Sequence, residues 1–165
     1  MKDLVSIVIP SADPRFLPRM IPDLLAKAAG PIEIIVSLDG VDAPAELPAA
    51  RDPRVKLILH ERLGMRGALN AARAHVSGDW VMKTDEHCLF AEGFDAQLKA
   101  DCDDNWLLIP RRYSLDAETW TIENNPKGPR DHHYLSCPVW SLRERDDYSM
   151  HGLEWPNRTR ARLTG

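Results

Sequence analysis

Apolar residues in the first two thirds of the chain form short runs that predict strands. Residues 4–10 and 32–38 are continuous and rich in β-branched side chains, which is typical of strands buried on both faces of a parallel sheet. Residues 54–60 alternate between apolar and polar, so they predict a strand with one wetter face. Residues 80–82 and 105–110 are predicted as the fourth and fifth strands.

Between these runs the apolar spacing becomes helical. In the first helix the recurring positions are Phe16, Leu17, Met20, Ile21, Leu24, Leu25 and Ala28. Asp13 is predicted to cap it, and Pro18 and Pro22 predict a kink or a later start. A second helix runs from Gly64 to about Val76, with an apolar stripe of Met65, Leu69, Ala72 and Val76, and a third covers residues 90–101. This order predicts an α/β fold with an open, Rossmann-like, mostly parallel sheet and helices on both faces.

The last third of the chain has a different pattern. Residues 111–165 contain few apolar runs, many charges and three tryptophans, with short strands predicted near 120–122 and 134–137. We therefore expect residues 1–110 to form the α/β core. Residues 111–165 are expected to be an irregular extension of the same domain.

Composition narrows the class of protein. At 165 residues, 44% hydrophobic and 28% charged, the chain fits one ordinary domain. Its net charge of −4, without a basic block, does not indicate nucleic-acid binding. No apolar run approaches the ~18 residues of a membrane span, and no signal peptide is recognisable. Three widely spaced cysteines favour reduced thiols, so we expect a cytoplasmic protein.

Metal-binding residue types follow the predicted fourth strand. Asp85 and His87 are two positions apart, so in an extended segment they share a side, with Glu86 opposite. Ligands of open α/β sheets bind at the carboxyl ends of strands, and a carboxylate with an imidazole suits an ion such as Mn²⁺. The alternative is a solvated turn. Neighbouring Cys88 is interpreted as a buried spectator.

Other polar residues fall at the same predicted edge. Asp39 ends the second strand, where a carboxylate accepts hydrogen bonds from a base N–H or a ribose hydroxyl; an Asp39-Gly40 turn is the alternative. Arg66 lies in the first turn of the second helix, where backbone N–H groups favour an anion such as a diphosphate. Arg66, Asn70 and Arg73 form a polar stripe, which a solvated helix face with two exposed arginines explains equally well. His132 and His133 either supply a metal ligand or belong to a surface loop.

Taken together, these residues resemble a family-2-like glycosyltransferase of the GT-A fold. Pro10-Ser11 looks like the end of that family's opening strand, and Asp39 matches its nucleotide-contacting acid. Asn70 stands where the family has the Asn of an Ala-Arg-Asn signature, although Leu69 replaces the Arg. Residues 85–88, Asp-Glu-His-Cys, are similar to the Asp-x-His-Cys motif of polypeptide N-acetylgalactosaminyltransferases. The resemblance covers roughly residues 4–100.

The resemblance implies a metal-dependent hexosyltransferase that uses a nucleotide-sugar donor, first of all a UDP-sugar, and an unknown acceptor. Mn²⁺ or Mg²⁺ would neutralise charge as the nucleoside diphosphate leaves. The implied catalytic residues are Asp85, Glu86 and His87, the metal ligands are Asp85, His87 and His133, and the nucleotide-binding residues are Pro10, Ser11, Asp39, Arg66 and Asn70.

Three points stay open at this level. The catalytic base is not identified, with Asp146, Asp147 and Glu154 as candidates, because no acceptor-side acidic motif is recognisable. One alternative is a truncated or catalytically weak nucleotide-binding module without an acceptor half. Another is a metal hydrolase built from Asp85, His87, His132 and His133, which predicts zinc and indifference to nucleotides.

Overall fold

A computed structural model of the chain describes residues 3–100, 102–103, 106–110, 112–123, 133–135, 152–154 and 161–162. The chain divides into two compact units, Met1–Lys99 and Ala100–Gly165. The first unit contains β1 (Val5–Ser11), α1 (Leu17–Lys27), β2 (Ile32–Asp39), β3 (Val55–His60), α2 (Gly64–Arg73), β4 (Trp80–Lys83) and most of α3 (Phe94–Ala100).

The first unit is built on a parallel four-stranded sheet in the order β3-β2-β1-β4. The crossover through α1 leads from β1 to β2, whereas the crossover through α2 leads back across the sheet from β3 to β4. Because both are expected to be right-handed, the two helices lie on opposite faces. The predicted open α/β sheet with helices is confirmed. The direction of strand addition reverses between β1 and β4, which makes that edge the topological switch point.

The core follows from the two continuous apolar strands. Every residue of β1 and β2 is buried, and α1 buries Leu17, Met20, Ile21 and Leu24. On the α2 side, Val8, Ile35 and Ala72 form a buried cluster, with Ile58, Leu69 and Val76 packed against it. The predicted helix stripes are largely confirmed. Met65 is an exception, because it is 59% exposed while Ala68 takes the buried position.

The ends of the helices differ from the prediction. Asp13 makes no side-chain cap hydrogen bond; its carboxylate instead pairs with Arg15 at 2.8 Å. A 3-10 turn, Pro14–Phe16, precedes α1, so the α-helix begins later, as the prolines predicted. Helix α2 ends at Arg73 rather than near Val76, and α3 begins at Phe94, directly after Gly93 in a left-handed conformation.

The predicted fifth strand does not extend the parallel sheet. Trp106–Leu107 forms β5, a two-residue strand that pairs antiparallel with β10 (Ala161–Arg162) in the second unit. A short apolar run predicts a strand but contains no information about its partner, so the strand itself was predictable and its antiparallel pairing was not.

The remaining described elements of the second unit are short. β6 (Leu115–Asp116) pairs antiparallel with β7 (Thr121–Ile122), and β8 (His133–Leu135) with β9 (Gly152–Glu154). Strands were expected near β7 and β8. Among the helices of the described residues, none combines the length and hydropathy needed to cross a bilayer.

Candidate functional site

The carboxyl ends of β1 and β4 lie side by side at the switch point. Val8 is in register with Lys83, and the N–H of Thr84 donates to the carbonyl of Val8 at 3.1 Å. The chain after β4 then contacts the chain after β1, because the carboxylate of Glu86 accepts a 3.2 Å hydrogen bond from the N–H of Asp13. The predicted acidic cluster therefore lies next to the end of β1.

Ser11, the last residue of β1, has an unusual environment. Its side chain is fully buried, and its Oγ has no hydrogen-bond partner among the described residues. A buried hydroxyl without a partner costs free energy, so native proteins usually satisfy such groups. An unpaired hydroxyl at a switch point is suited to bind a polar ligand.

Asp85 follows β4 and is half exposed. Its carboxylate forms an ion pair with the ammonium group of Lys83. The carboxylate of Asp85 therefore already binds a positive charge in this structure. His87 points to a different partner, since its ring lies edge-on to Phe16 with 6.3 Å between centroids. Within the described residues, no group of three His, Cys, Asp or Glu side chains could hold a metal.

The donor atoms nevertheless fit a hard divalent cation. Carboxylate oxygen and imidazole nitrogen suit Mn²⁺, and Mg²⁺ is commonly bound by one or two carboxylates together with substrate phosphates and water. A site of this kind does not need three convergent protein side chains before the substrate arrives. Asp85 and His87 are therefore compatible with such an ion by donor type.

Glu86 is the titratable group of this cluster with a perturbed pKa. Burial raises the pKa of its carboxyl above the ordinary value of 4.5, although the N–H of Asp13 and the nearby His87 oppose the shift. Partial burial next to Asp85 thus favours a carboxyl that keeps its proton to higher pH. Such perturbed acids often occur at functional sites.

The loop after the cluster is attached to α1 by an ion pair that sequence reasoning missed. Asp23 and Lys27 pair at 2.6 Å and are both largely buried. Asp23 accepts a hydrogen bond from the N–H of Phe90 at 3.2 Å, and Lys27 donates to the carbonyl of Phe90 at 2.7 Å. The i, i+4 spacing of opposite charges was the available sequence signal. This contact restrains the segment that carries Asp85 to His87.

Asp39 ends β2 and is 4% exposed. One carboxylate oxygen, Oδ1, accepts a 2.6 Å hydrogen bond from the N–H of Leu63, the residue before α2. Gly40 follows with φ of 70°, and a Cβ there would lie 2.8 Å from the Cβ of Arg62. The chain therefore does turn at Asp39-Gly40, which the sequence predicted as the alternative to a nucleoside-binding role for Asp39. It places a buried carboxylate at the ligand-binding edge of the sheet.

The predicted diphosphate residues Arg66 and Asn70 are exposed on α2. Sequence reasoning did not predict a groove of about 430 Å³ on the α2 face of β4, lined by Val8, Leu69, Arg73, Val76, Val81 and Lys83. Its residues come from β1, α2, the segment after α2 and β4, so no single sequence segment reveals it.

Several predicted residues lie outside the described part of the chain. These are His132, Asp146 and Asp147. His133 begins β8 and Glu154 ends β9, both in the second unit, but their side chains are not among those described. The third metal ligand and the catalytic base thus stay predictions.

An open parallel sheet with a buried acid after β2 and polar side chains at its switch point defines a nucleotide-binding type of α/β protein. The family model described as "Glycosyl transferase family 2" matches residues 6–155, and the chain belongs to that family. It is therefore a glycosyltransferase of the GT-A type, a class that transfers sugar from a nucleotide-sugar donor to an acceptor.

No curated protein matches the chain. The specific likeness to polypeptide N-acetylgalactosaminyltransferases stays a prediction, as do the cytoplasmic location and the division at residue 110.

Proposed function

We propose that the chain transfers a hexosyl group from a UDP-sugar in a metal-dependent reaction, and that its first unit binds the donor. One observation carries the proposal: the contact between Glu86 and Asp13 joins the acidic cluster to the end of β1, next to the unpaired hydroxyl of Ser11. A polar ligand bound at the switch point would contact both the acidic cluster and the hydroxyl of Ser11.

In this proposal the nucleoside lies at the ends of β1 and β2. The hydroxyl of Ser11 gains the hydrogen-bond partner that it lacks in the free protein. Asp39 accepts a hydrogen bond from the base or the ribose, and Pro10 limits the backbone conformation ahead of Ser11. Arg66 and Asn70, exposed on α2, face the diphosphate.

Asp85 and His87 would hold Mn²⁺ or Mg²⁺, and the assignment of His133 as a ligand stays a prediction from the sequence. Such an ion supplies electrostatic stabilisation of a departing diphosphate. The residues of the chain have complementary tasks. Lys83, which pairs with Asp85 in the free protein, would release that carboxylate, and the Asp23–Lys27 pair would restrain the loop that follows.

Glu86 is proposed to lie beside the sugar. The N–H of Asp13 orients its carboxyl, and carboxyl oxygens can accept hydrogen bonds from sugar hydroxyls. No residue is assigned as the general base.

Calorimetric titration with UDP, with and without Mn²⁺, tests the proposal. We expect Mn²⁺ to tighten UDP binding by at least tenfold, about 1.4 kcal/mol, in the wild-type chain and not in Asp85→Ala. The matched control is Asp79→Ala, because Asp79 is an exposed aspartate at the opposite end of β4 that accepts a hydrogen bond from the N–H of Asp3. Metal-independent binding that Asp85→Ala leaves unchanged would contradict the assignment.

A transfer assay separates the alternatives. Metal-dependent UDP binding without sugar transfer to any tested acceptor would favour a nucleotide-binding module. Stoichiometric zinc together with indifference to nucleotides would favour a hydrolase.

A further inference from the structure

We propose that His60 is a positioning residue of the donor site: as an imidazolium it holds Asp39 in place and thereby sets the affinity for the nucleoside. This inference rests on the proposed function and adds a residue to it. His60 ends β3, and its Cα is the register partner of Asp39 on β2. Its side chain is 14% exposed, and its Nδ1 lies 3.8 Å from Oδ1 of Asp39.

The hydrogen bonds of His60 determine where its protons are. The hydroxyl of Ser37 donates to the carbonyl of Ala68 at 2.8 Å, and that uses its only hydrogen. Its oxygen lies 2.7 Å from Nε2 of His60 and must therefore accept a hydrogen bond there. Nε2 of His60 thus carries a proton.

The other ring nitrogen faces an acceptor as well. Nδ1 of His60 lies 2.7 Å from the carbonyl oxygen of Glu61, which has no hydrogen to donate. Nδ1 must also carry a proton, so all three short contacts are satisfied only by the doubly protonated, charged ring. A neutral ring would place two acceptors against each other at 2.7 Å.

The charge of His60 has one nearby counterpart. Among the described residues, Asp39 on β2 is the only charged group within ion-pairing distance. Helix α2 contributes the uncharged carbonyl of Ala68, and the following loop contributes the carbonyl of Glu61. The side chains of Glu61 and Arg62 are exposed. The imidazolium therefore balances a carboxylate that is 4% exposed.

This arrangement orients Asp39 for a ligand. Oδ1 receives the N–H of Leu63 and faces His60, so the second oxygen is left for a nucleoside N–H or hydroxyl. Loss of the ring proton would remove the countercharge and one hydrogen bond, while the bond from Leu63 would persist. We expect the nucleoside affinity to fall while the fold is retained.

The ring protonation can be measured without a ligand. In ¹⁵N-detected spectra of the intact chain, assigned with His60→Gln, we expect both ring nitrogens of His60 to carry a proton under the conditions of the binding experiment, because both face acceptors. A neutral tautomer under those conditions overturns the proposal.

Uridine titration tests the consequence for binding, because uridine carries no phosphate and so reports on the nucleoside contacts alone. His60→Gln keeps a hydrogen-bonding side chain but removes the charge, so it should bind uridine at least about fivefold more weakly than the wild type. His75→Gln, at an exposed histidine of the same unit, should behave as wild type.

The outcomes are distinguishable. Uridine affinity that His60→Gln leaves intact overturns the role of His60 and leaves the proposed function standing. A wild-type chain that binds neither uridine nor UDP overturns both. A purely structural role would lower the melting temperature of His60→Gln and leave the uridine affinity of the folded variant unchanged, and that result also contradicts the proposal.

Discussion

At the residue scale, the proposed donor site contains groups that do not favour the folded state of the free protein. Ser11 has a buried, unpaired hydroxyl, and burial raises the pKa of Glu86. Proteins often accept such a cost where a ligand later satisfies the group. Substitution of either side chain is therefore expected to maintain or raise the stability of the free protein and to weaken its function.

Ser11→Ala removes a hydroxyl that has no partner in the free protein. We expect the melting temperature to stay constant or rise, because no hydrogen bond is lost and an unsatisfied group disappears. UDP affinity should weaken about tenfold, the cost of roughly one ligand hydrogen bond. Thermal unfolding and calorimetry on the same preparation check both. A loss of stability with unchanged affinity would show that Ser11 is structural.

Glu86→Gln keeps the acceptor for the N–H of Asp13 but cannot ionise. The folded protein binds the Glu86 proton more tightly than the unfolded chain does, so its contribution to the free energy of unfolding falls as pH rises from 4.5 through the raised pKa. We expect the variant to lose this decline and to be at least as stable at neutral pH, while transfer activity falls. Urea unfolding across that pH range is the measurement; an unchanged pH profile would contradict the expectation.

At the element scale, a second polar cluster joins the strands at the opposite, amino end of the sheet. Glu33 on β2 accepts hydrogen bonds from Ser6 on β1 at 2.5 Å, from Lys56 on β3 at 2.8 Å and from Ser77 ahead of β4 at 2.7 Å. Gly78 fits there because a Cβ would lie 2.4 Å from the carbonyl oxygen of Leu4. This cluster fixes the position of the amino end of β4 in the sheet. It therefore also determines the position of Asp85, which follows the carboxyl end of β4.

Glu33→Gln should destabilise the fold by about 2 kcal/mol, because it weakens a buried, charge-assisted network. Burial alone would raise the pKa of Glu33, but the hydrogen bonds from Lys56, Ser6 and Ser77 lower it from 4.5 to about 2. The contribution to stability is therefore complete above pH 4.5 and is lost as the pH falls towards 2.

Acid unfolding of the wild type, Glu33→Gln and the exposed control Glu46→Gln checks this expectation. The Glu33 variant should lose the part of the acid dependence that lies between these two pKa values. If it unfolds in acid with the same profile as the control, the network does not contribute as described.

At the scale of the whole molecule, the proposed nucleotide-binding residues all lie in the first unit. That unit also contains the strands β1 to β4 and their buried core. Helix α3 belongs with it, since Asp95 accepts hydrogen bonds from the N–H groups of Ala29 and Gly30 at 2.8 Å. We therefore expect a fragment of residues 1–103 to fold.

The fragment should unfold cooperatively by circular dichroism and bind uridine within about threefold of the intact chain, a difference of less than 1 kcal/mol. Sugar transfer should be absent, since the candidate bases Asp146, Asp147 and Glu154 have been removed. A fragment that folds but does not bind uridine would show that the second unit takes part in donor binding.

Much of this arrangement follows from local patterns. The strands β1 and β2 were predictable because continuous β-branched runs have few other uses. The positions of Asp39 and Asp85 at strand ends were predictable from where the apolar runs stop. The role of Asp13 was mispredicted, because capping depends on a side-chain rotamer that a nearby Arg15 can redirect. The Asp23–Lys27 contact with Phe90 was missed, because it joins segments more than sixty residues apart.

The sequence by itself determined the order of strands and helices and the positions of the acidic residues at their ends, since both depend on periodicity and residue type. Only the tertiary structure decided that β4 lies against β1, which brings Glu86 to Asp13, and that β3 lies against β2, which brings His60 to Asp39. Strand order depends on crossovers and core packing between distant segments. Local pattern therefore identifies the residues of the site, and the fold decides which of them meet.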